Sequence, residues 1–199
     1  DLMPLGYQVT VVEQYGEPGG LMRTNIPSFR LPQAVLEEEI RMIVDMGVDL
    51  KLGSRIASMK ELLATGGFDA VFVGSGAPKG KNLQLPGRAE ADANVHIGIA
   101  WLESVAFGHI ERIGERVLII GVGNTAMDCC RSSLRLGARQ VKVMARKPRG
   151  FFKASEWELE DAEEESVEIR VNRSPKAFVI EGGRLAGMTV DCMKDELDA

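Results

Sequence analysis

Cysteine and histidine are scarce in this 199-residue chain, at three and two. Cys129 and Cys130 are adjacent and Cys192 stands alone, so there is no CxxC pair, no zinc-type spacing and no disulfide framework. A reducing, cytoplasmic setting is expected. His96 and His109 lack a ligand-spaced partner and are read as surface or capping residues rather than metal ligands or proton carriers. No metal site is expected. Basic charge is not in excess either: 24 Lys and Arg face 29 Asp and Glu, a net charge of −5, and the one basic cluster is Arg146-Lys147-Pro148-Arg149. That is not the electrostatic footprint of a nucleic-acid binder. No run approaches the roughly 20 apolar residues of a membrane-spanning helix, so no membrane role is expected. The opening Asp1-Leu2-Met3-Pro4-Leu5-Gly6 has no initiator Met, basic n-region or apolar h-region, which predicts a fragment rather than a secreted chain.

What is present is the composition of a chain that buries a core, with 45% hydrophobic and 27% charged residues. The length fits one large domain or two small ones. Strand and helix signals alternate. Tyr7–Gln14 alternates with β-branched residues and ends near the acid Glu13, before the turn-rich Tyr15 to Gly20. Leu31–Gly47 predicts a helix with Val35, Leu36, Ile40, Ile43 and Val44 on one face, Pro32 in the first turn and Gly47 as the stop. A short strand at Val48–Leu52 and a small helix at Met59–Ala64 follow, and Phe68–Val73 is a continuous apolar strand signal entering Gly74-Ser75-Gly76.

A helix at Val95–Phe107 and a polar hinge at Gly108–Glu115 lead into the strongest unit. Arg116–Ile120 reads as a strand, Gly121 to Ala126 as a glycine turn, Met127–Leu136 as a helix stopped by Gly137, and Gln140–Ala145 as the next strand. That βαβ unit requires a parallel sheet. Beyond it, Phe151–Ser166 predicts a helix whose Glu160–Glu165 run is a solvated face, Val167–Val171 a strand, and Lys176–Val190 a hairpin turning at Glu181 to Arg184.

Chemistry concentrates in Gly121-Val122-Gly123-Asn124-Thr125-Ala126. The first glycine permits a tight strand-to-helix turn, the second lets backbone approach a pyrophosphate, and Ala126 takes the small position where helix meets sheet. The helix N-terminus offers free N–H groups and positive partial charge to phosphates. A plain tight turn is the competing reading. The second strand ends in Ala145-Arg146-Lys147 instead of the acid that would hold an unmodified ribose. Guanidinium and ammonium groups fit a 2′-phosphate, which points to NADP(H) over NAD(H), against a merely solvated basic turn. Glu13, an acid at a strand end, suits a ribose without 2′-phosphate such as that of FAD, although such an acid alone is commonly just solvated. Cys129 and Cys130 are expected to pack as small hydrophobes, and Trp101 and Trp157 as helix packing residues.

Together these pieces resemble the FAD- and NADPH-dependent small (beta) subunit of bacterial glutamate synthase and its relatives, including the electron-entry region of dihydropyrimidine dehydrogenase. The resemblance rests on GYQVTVVEQ with Glu13, the segment Gly19 to Pro32, FDAVFVGSGAP from Phe68 to Pro78, and GVGNTAMDC from Gly121 to Cys129. It implies two Rossmann-like doubly wound α/β domains, an incomplete FAD-type part at 1–107 and an inserted NAD(P)-binding part at 108–199, truncated at its end. It further implies that Gly121, Val122, Gly123, Asn124, Thr125 and Ala126, with Arg146 and Lys147, hold NADP(H). Glu13, Gly19, Gly20, Leu21, Gly74, Ser75 and Gly76 would face FAD in the complete protein. Electrons would pass from NADPH through FAD to an iron–sulfur or large catalytic subunit, and hydride transfer being cofactor chemistry, no catalytic side chain is named. The first FAD glycine loop, the C-terminal FAD segment and any iron–sulfur cysteine cluster are missing from this sequence, so the fragment alone is expected to bind nicotinamide cofactor at best, with little turnover. The alternative is a module that binds a dinucleotide without turning it over.

Overall fold

A computed structural model describes residues 1–193, which fall into two compact units, the first Asp1–Ala77 and the second beginning at Pro78. The first holds β1 (Thr10–Val12), α1 (Gly20–Thr24), α2 (Gln33–Val44), β2 (Asp49–Lys51) and α3 (Met59–Thr65). β1 and β2 pair in parallel with Val11 opposite Leu50, so the two helices between them make a crossover connection. Ser58 caps α3 by accepting from the Glu61 N–H at 3.2 Å. Gly47, at φ +102°, ends the turn after α2 in a conformation that suits glycine, as the sequence predicts. Only Leu36 of the expected apolar face of α2 is buried; Val35 and Ile43 are half exposed. Phe68–Val73 does not form a strand, and Phe72 is 95% exposed. An apolar strand is stable only when neighbours complete its ladder. No strand among the described residues pairs with this run.

The second unit carries the core. It contains α4 (Gly98–Ala106), β3 (Arg116–Ile120), α5 (Asn124–Arg135), β4 (Gln140–Met144), α6 (Glu156–Glu164), β5 (Glu168–Arg170), and the hairpin strands β6 (Arg173–Glu181) and β7 (Arg184–Cys192). β3, β4 and β5 form a parallel sheet in that order, with Val117 opposite Val141 and Val143 opposite Ile169. The order advances one way without reversal, so both crossover helices lie on one face. There Met127 and Cys130 of α5 and Leu159 and Ala162 of α6 close over Val141 and Val143, with Val117, Ile119 and Ile169 against them. On the other face Leu118 and Ile120 are about two-fifths exposed.

α4 packs on α5 through Trp101, Leu102 and Cys129. A methyl group on Gly98 would stand 3.1 Å from the Cys129 sulfur, so glycine there lets the helices approach. The Gly108–Glu115 stretch is no free hinge, since Ile110 and Ile113 pack on that same cluster. Burial, aided by the charge of Asp128, pushes the Cys129 thiol up to about 12, and burial raises Cys130 to about 12. Both are inert packing groups.

α5 and α6 are joined by charge. Arg131, one-tenth exposed at its side chain, meets Asp161 at 2.8 Å and Glu165 at 2.9 Å, with Glu158 at 3.8 Å. Arg135 reaches Glu165 at 2.6 Å. Burial alone would lower the Arg131 pKa, but the hydrogen bond and charge of Glu165, with Asp161 and Glu158, hold it above its ordinary value. The Arg135 hydrogen bond, opposed by burial and reinforced by Arg131, holds Glu165 below the usual carboxylate range. A carboxylate so depressed stabilises the fold above its ordinary pKa, and that contribution is lost as pH falls through the depressed one. Glu165→Gln is therefore expected to cost on the order of 1 kcal/mol at pH 7. Urea titrations at pH 7 and at pH 3 should show the gap between the two proteins closing at acid pH. A gap of the same size at both would remove the ion pair from the account.

Candidate dinucleotide site

The geometry begins with β3, whose ladder to β4 continues one residue past the strand, as the Gly121 N–H donates to the Met144 carbonyl at 3.0 Å. Gly121 then turns at φ +122°, a conformation side chains rarely adopt. α5 starts at Asn124, three residues before the expected Met127, with Gly123 as its N-cap and no side chain capping it. The Ala126 and Met127 N–H groups reach back to the Gly123 carbonyl, while those of Gly123, Asn124 and Thr125 donate to no group among the described residues. Apart from the adjoining residues, no heavy atom among the described residues lies within 4 Å of where a Cβ would stand on Gly121 or Gly123. Uncapped donors, helix-end charge and open space give this turn what an anion-binding helix start requires.

The six turn residues divide their work. Val122 and Ala126 pack on the core, so they set the attitude of the turn. The Val122 carbonyl accepts from the N–H groups of Lys153 and Ala154 at 3.2 and 3.1 Å, and the Asn124 side-chain oxygen accepts from the Ser155 N–H at 3.0 Å. Thr125 is exposed on the first turn of α5.

Arg146 and Lys147 follow β4, and both are exposed with no ion-pair partner among the described residues. The Lys147 ammonium stands 5.1 Å from the centre of the Phe151 ring. Arg149 differs, since it is held by Glu156 at 2.8 Å and Glu163 at 2.7 Å, bonds that raise its pKa. Sequence cannot make this distinction: of three cations within four residues, two are available to a ligand and the third anchors the loop to α6. Phe151 and the 153–155 segment likewise carry no local signal in the sequence.

In the first unit Glu13 ends the β1 ladder, its N–H donating to the Lys51 carbonyl at 2.9 Å, and one carboxylate oxygen accepts from the Tyr15 N–H at 2.9 Å. Gly19, at φ +129°, opens α1; a methyl group there would stand 3.1 Å from Arg23 Cβ and 3.2 Å from Leu36 Cδ2. Gly20 and Leu21 form the first turn of α1. Gly76 comes near Leu21, whose Cδ1 lies 3.6 Å from where a Gly76 Cβ would stand. Gly74 and Ser75 are exposed in the same segment. No hydrogen bond joins Glu13 to either glycine segment.

Residues 5–199 match the model of the pyridine nucleotide-disulphide oxidoreductase family. The chain belongs to that family. This pyridine nucleotide-disulphide oxidoreductase chain is 35% identical over 193 residues to the NADP(+)-dependent formate dehydrogenase subunit beta of Moorella thermoacetica, covering 95% of this chain and 27% of that protein. It is 32% identical over 194 residues to the glutamate synthase [NADPH] small chain of Azospirillum brasilense, covering 89% of this chain and 39% of the relative. The putative glutamate synthase [NADPH] small chain of Cereibacter sphaeroides is 33% identical and is covered to 48%, with 95% of this chain aligned. The family chain thus spans between about a quarter and a half of these relatives. Its fold resembles FprA of Mycobacterium tuberculosis in complex with NADPH, at TM-score 0.78 and 14% identity, over 96% of this chain and 59% of that one. It also resembles the thioredoxin reductase of T. acidophilum, at TM-score 0.63 and 15% identity, over 97% and 65%. The expected kinship with the small subunits of glutamate synthase and related beta subunits is thereby shown. The disulphide in the family name has no counterpart in this sequence, whose adjacent Cys129 and Cys130 are buried. No helix among the described residues is long and apolar enough to cross a membrane, and they contain no cluster of candidate metal ligands.

Proposed function

We propose that this chain is the nicotinamide-binding part, with an adjoining portion of the flavin-binding part, of an oxidoreductase that moves electrons from NADPH through FAD to a partner subunit. The observation that carries the reading is the uncapped start of α5, with its three unengaged N–H groups, facing open space at Gly123 while Arg146 and Lys147 remain unpaired nearby in sequence from β4. In this reading Gly123, Asn124 and Thr125 donate backbone N–H bonds to the diphosphate, Gly121 makes the turn, and Val122 and Ala126 fix it to the core. Arg146 and Lys147 select the 2′-phosphate over a bare ribose.

The flavin-side residues are Glu13, Gly19, Gly20, Leu21, Gly74, Ser75 and Gly76. Glu13 keeps one carboxylate oxygen outside its bond to Tyr15, which suits ribose hydroxyls, and the approach of Leu21 to Gly76 brings the two glycine segments together. When bound, nicotinamide and flavin supply the hydride and electron chemistry, and the chain binds, orients and selects. The doubly wound form of both domains, and the division into a flavin part at 1–107 and a nicotinamide part at 108–199, belong to this proposal. So do the iron–sulfur or large catalytic partner subunit and a cytoplasmic setting. Relatives named as beta subunits and small chains support the partner.

Anaerobic titration of the complete protein, purified with its flavin, tests the reading. NADPH is expected to bleach the visible absorption of the oxidised flavin at a rate within the turnover range of about 1–1000 per second. NADH is expected to do so far more weakly. Binding of NADPH without bleaching would leave the module that holds a dinucleotide without turnover.

A further inference from the structure

The loop between β4 and α6, residues 145–155, carries the exposed cations at one end and is tied to the glycine turn at both. At its start the Met144 carbonyl accepts from Gly121. At its end Lys153 and Ala154 donate to the Val122 carbonyl at 3.2 and 3.1 Å, and Ser155 donates to the Asn124 side chain at 3.0 Å. Between them Arg149 is held by two carboxylates of α6. The only side chain of the turn used in this strap is that of Asn124.

We infer that Asn124 is a positioning residue that sets cofactor selectivity at a distance: by holding Ser155 it fixes the basic loop against the diphosphate turn, and so fixes where Arg146 and Lys147 meet a 2′-phosphate. This rests on the dinucleotide reading of the site. A backbone N–H can only donate, so the bond to Ser155 turns the amide oxygen of Asn124 toward the loop. A phosphate can only accept, so that oxygen is the wrong group to face it. Bonds at both ends of a loop reduce the conformations its middle can take, and two charges act together on one dianion only while their spacing is held. The Ser155 hydroxyl makes no capping bond to α6, and Ser155 sits at φ −64°, an angle proline adopts. Ser155→Pro therefore deletes the Ser155 donor, its ring carbon taking the place of the hydrogen and pushing the Asn124 side chain away from the loop, while the N–H groups of Lys153 and Ala154 keep their bonds to the turn.

The test is the ratio of dissociation constants for NADH and NADPH in the full chain, by isothermal titration, for the parent and three variants whose folding is checked by thermal melting. Asn124→Ala and Ser155→Pro are each expected to lower the ratio about tenfold, through weaker NADPH binding, as one hydrogen bond to the strap is lost. The double variant should fall no further than either single one, because both remove the same bond. Asn124→Asp keeps an acceptor for Ser155 and puts negative charge beside the diphosphate, so both nucleotides should weaken while the ratio is kept. If Asn124→Ala weakens NADPH and NADH equally and Ser155→Pro changes neither, Asn124 is a diphosphate ligand and the inference is overturned. An unchanged ratio in both single variants overturns it equally. A parent chain that binds neither nucleotide defeats the underlying dinucleotide reading instead.

Discussion

A Gly123→Val chain is expected to lose NADPH and NADH together, each by about a hundredfold or more, with its melting temperature almost unchanged. The two halves of that result have separate causes. Gly123 sits at φ −105° and ψ 173°, extended backbone open to any residue, and apart from its neighbours in the chain nothing among the described residues lies within 4 Å of where a Cβ would stand. The fold therefore tolerates the branched side chain. The space it fills is the space a diphosphate needs to reach the first N–H groups of α5, and losing several charge-assisted bonds at once accounts for the size of the effect. Gly121→Val is the informative contrast, because at φ +122° it strains the backbone and should lower stability as well. Calorimetric titration beside a thermal melt separates the two. A Gly123→Val chain that binds NADPH like its parent would place the diphosphate elsewhere.

Neutralising the basic pair, with Arg146→Ser and Lys147→Ser together, should act on one cofactor only. NADPH is expected to weaken by about 100- to 1000-fold, near 3–4 kcal/mol for two charge-assisted contacts, while NADH changes by less than about threefold. Both side chains are exposed and unpaired among the described residues, so removing them breaks no internal ion pair. Their attraction is screened in proportion to exposure, and the NADPH advantage of the parent should shrink between low salt and about 0.5 M. Fluorescence titrations of both nucleotides at two salt concentrations give the measurement. Equal weakening of NADPH and NADH would assign these cations to something other than the 2′-phosphate.

How much of this was legible beforehand depends on the range of the interaction. The unit from Arg116 to Ala145 reads directly, because β3 is a continuous apolar run and β4 an alternating one rich in β-branched residues, with Gly121, Gly123 and Gly137 as punctuation around the helix between them. The start of α5 is displaced by three residues because Asn124 and Thr125, polar and poor helix formers, sit where the backbone rather than the side chain does the work. α1 is illegible for a related reason, since it opens with Gly20, a residue that normally marks a break. Phe68–Val73 is the opposite case: its residues are those of a strand, but pairing is a property of neighbours and not of the segment. The strap joins residues 31 apart through a backbone N–H that every residue but proline carries, so no residue type announces it.

The pairing of Arg149 with Glu156 and Glu163 makes the charge that the basic loop shows to a ligand depend on residues outside that loop. Four consecutive positions spell three cations, yet one of them is neutralised from the helix beyond. Two glutamates, one at the first position of α6 and one two turns further on, thus act as a counterweight. On the proposed reading, a change at either would alter the electrostatics of cofactor choice while leaving every letter of the loop as it stands.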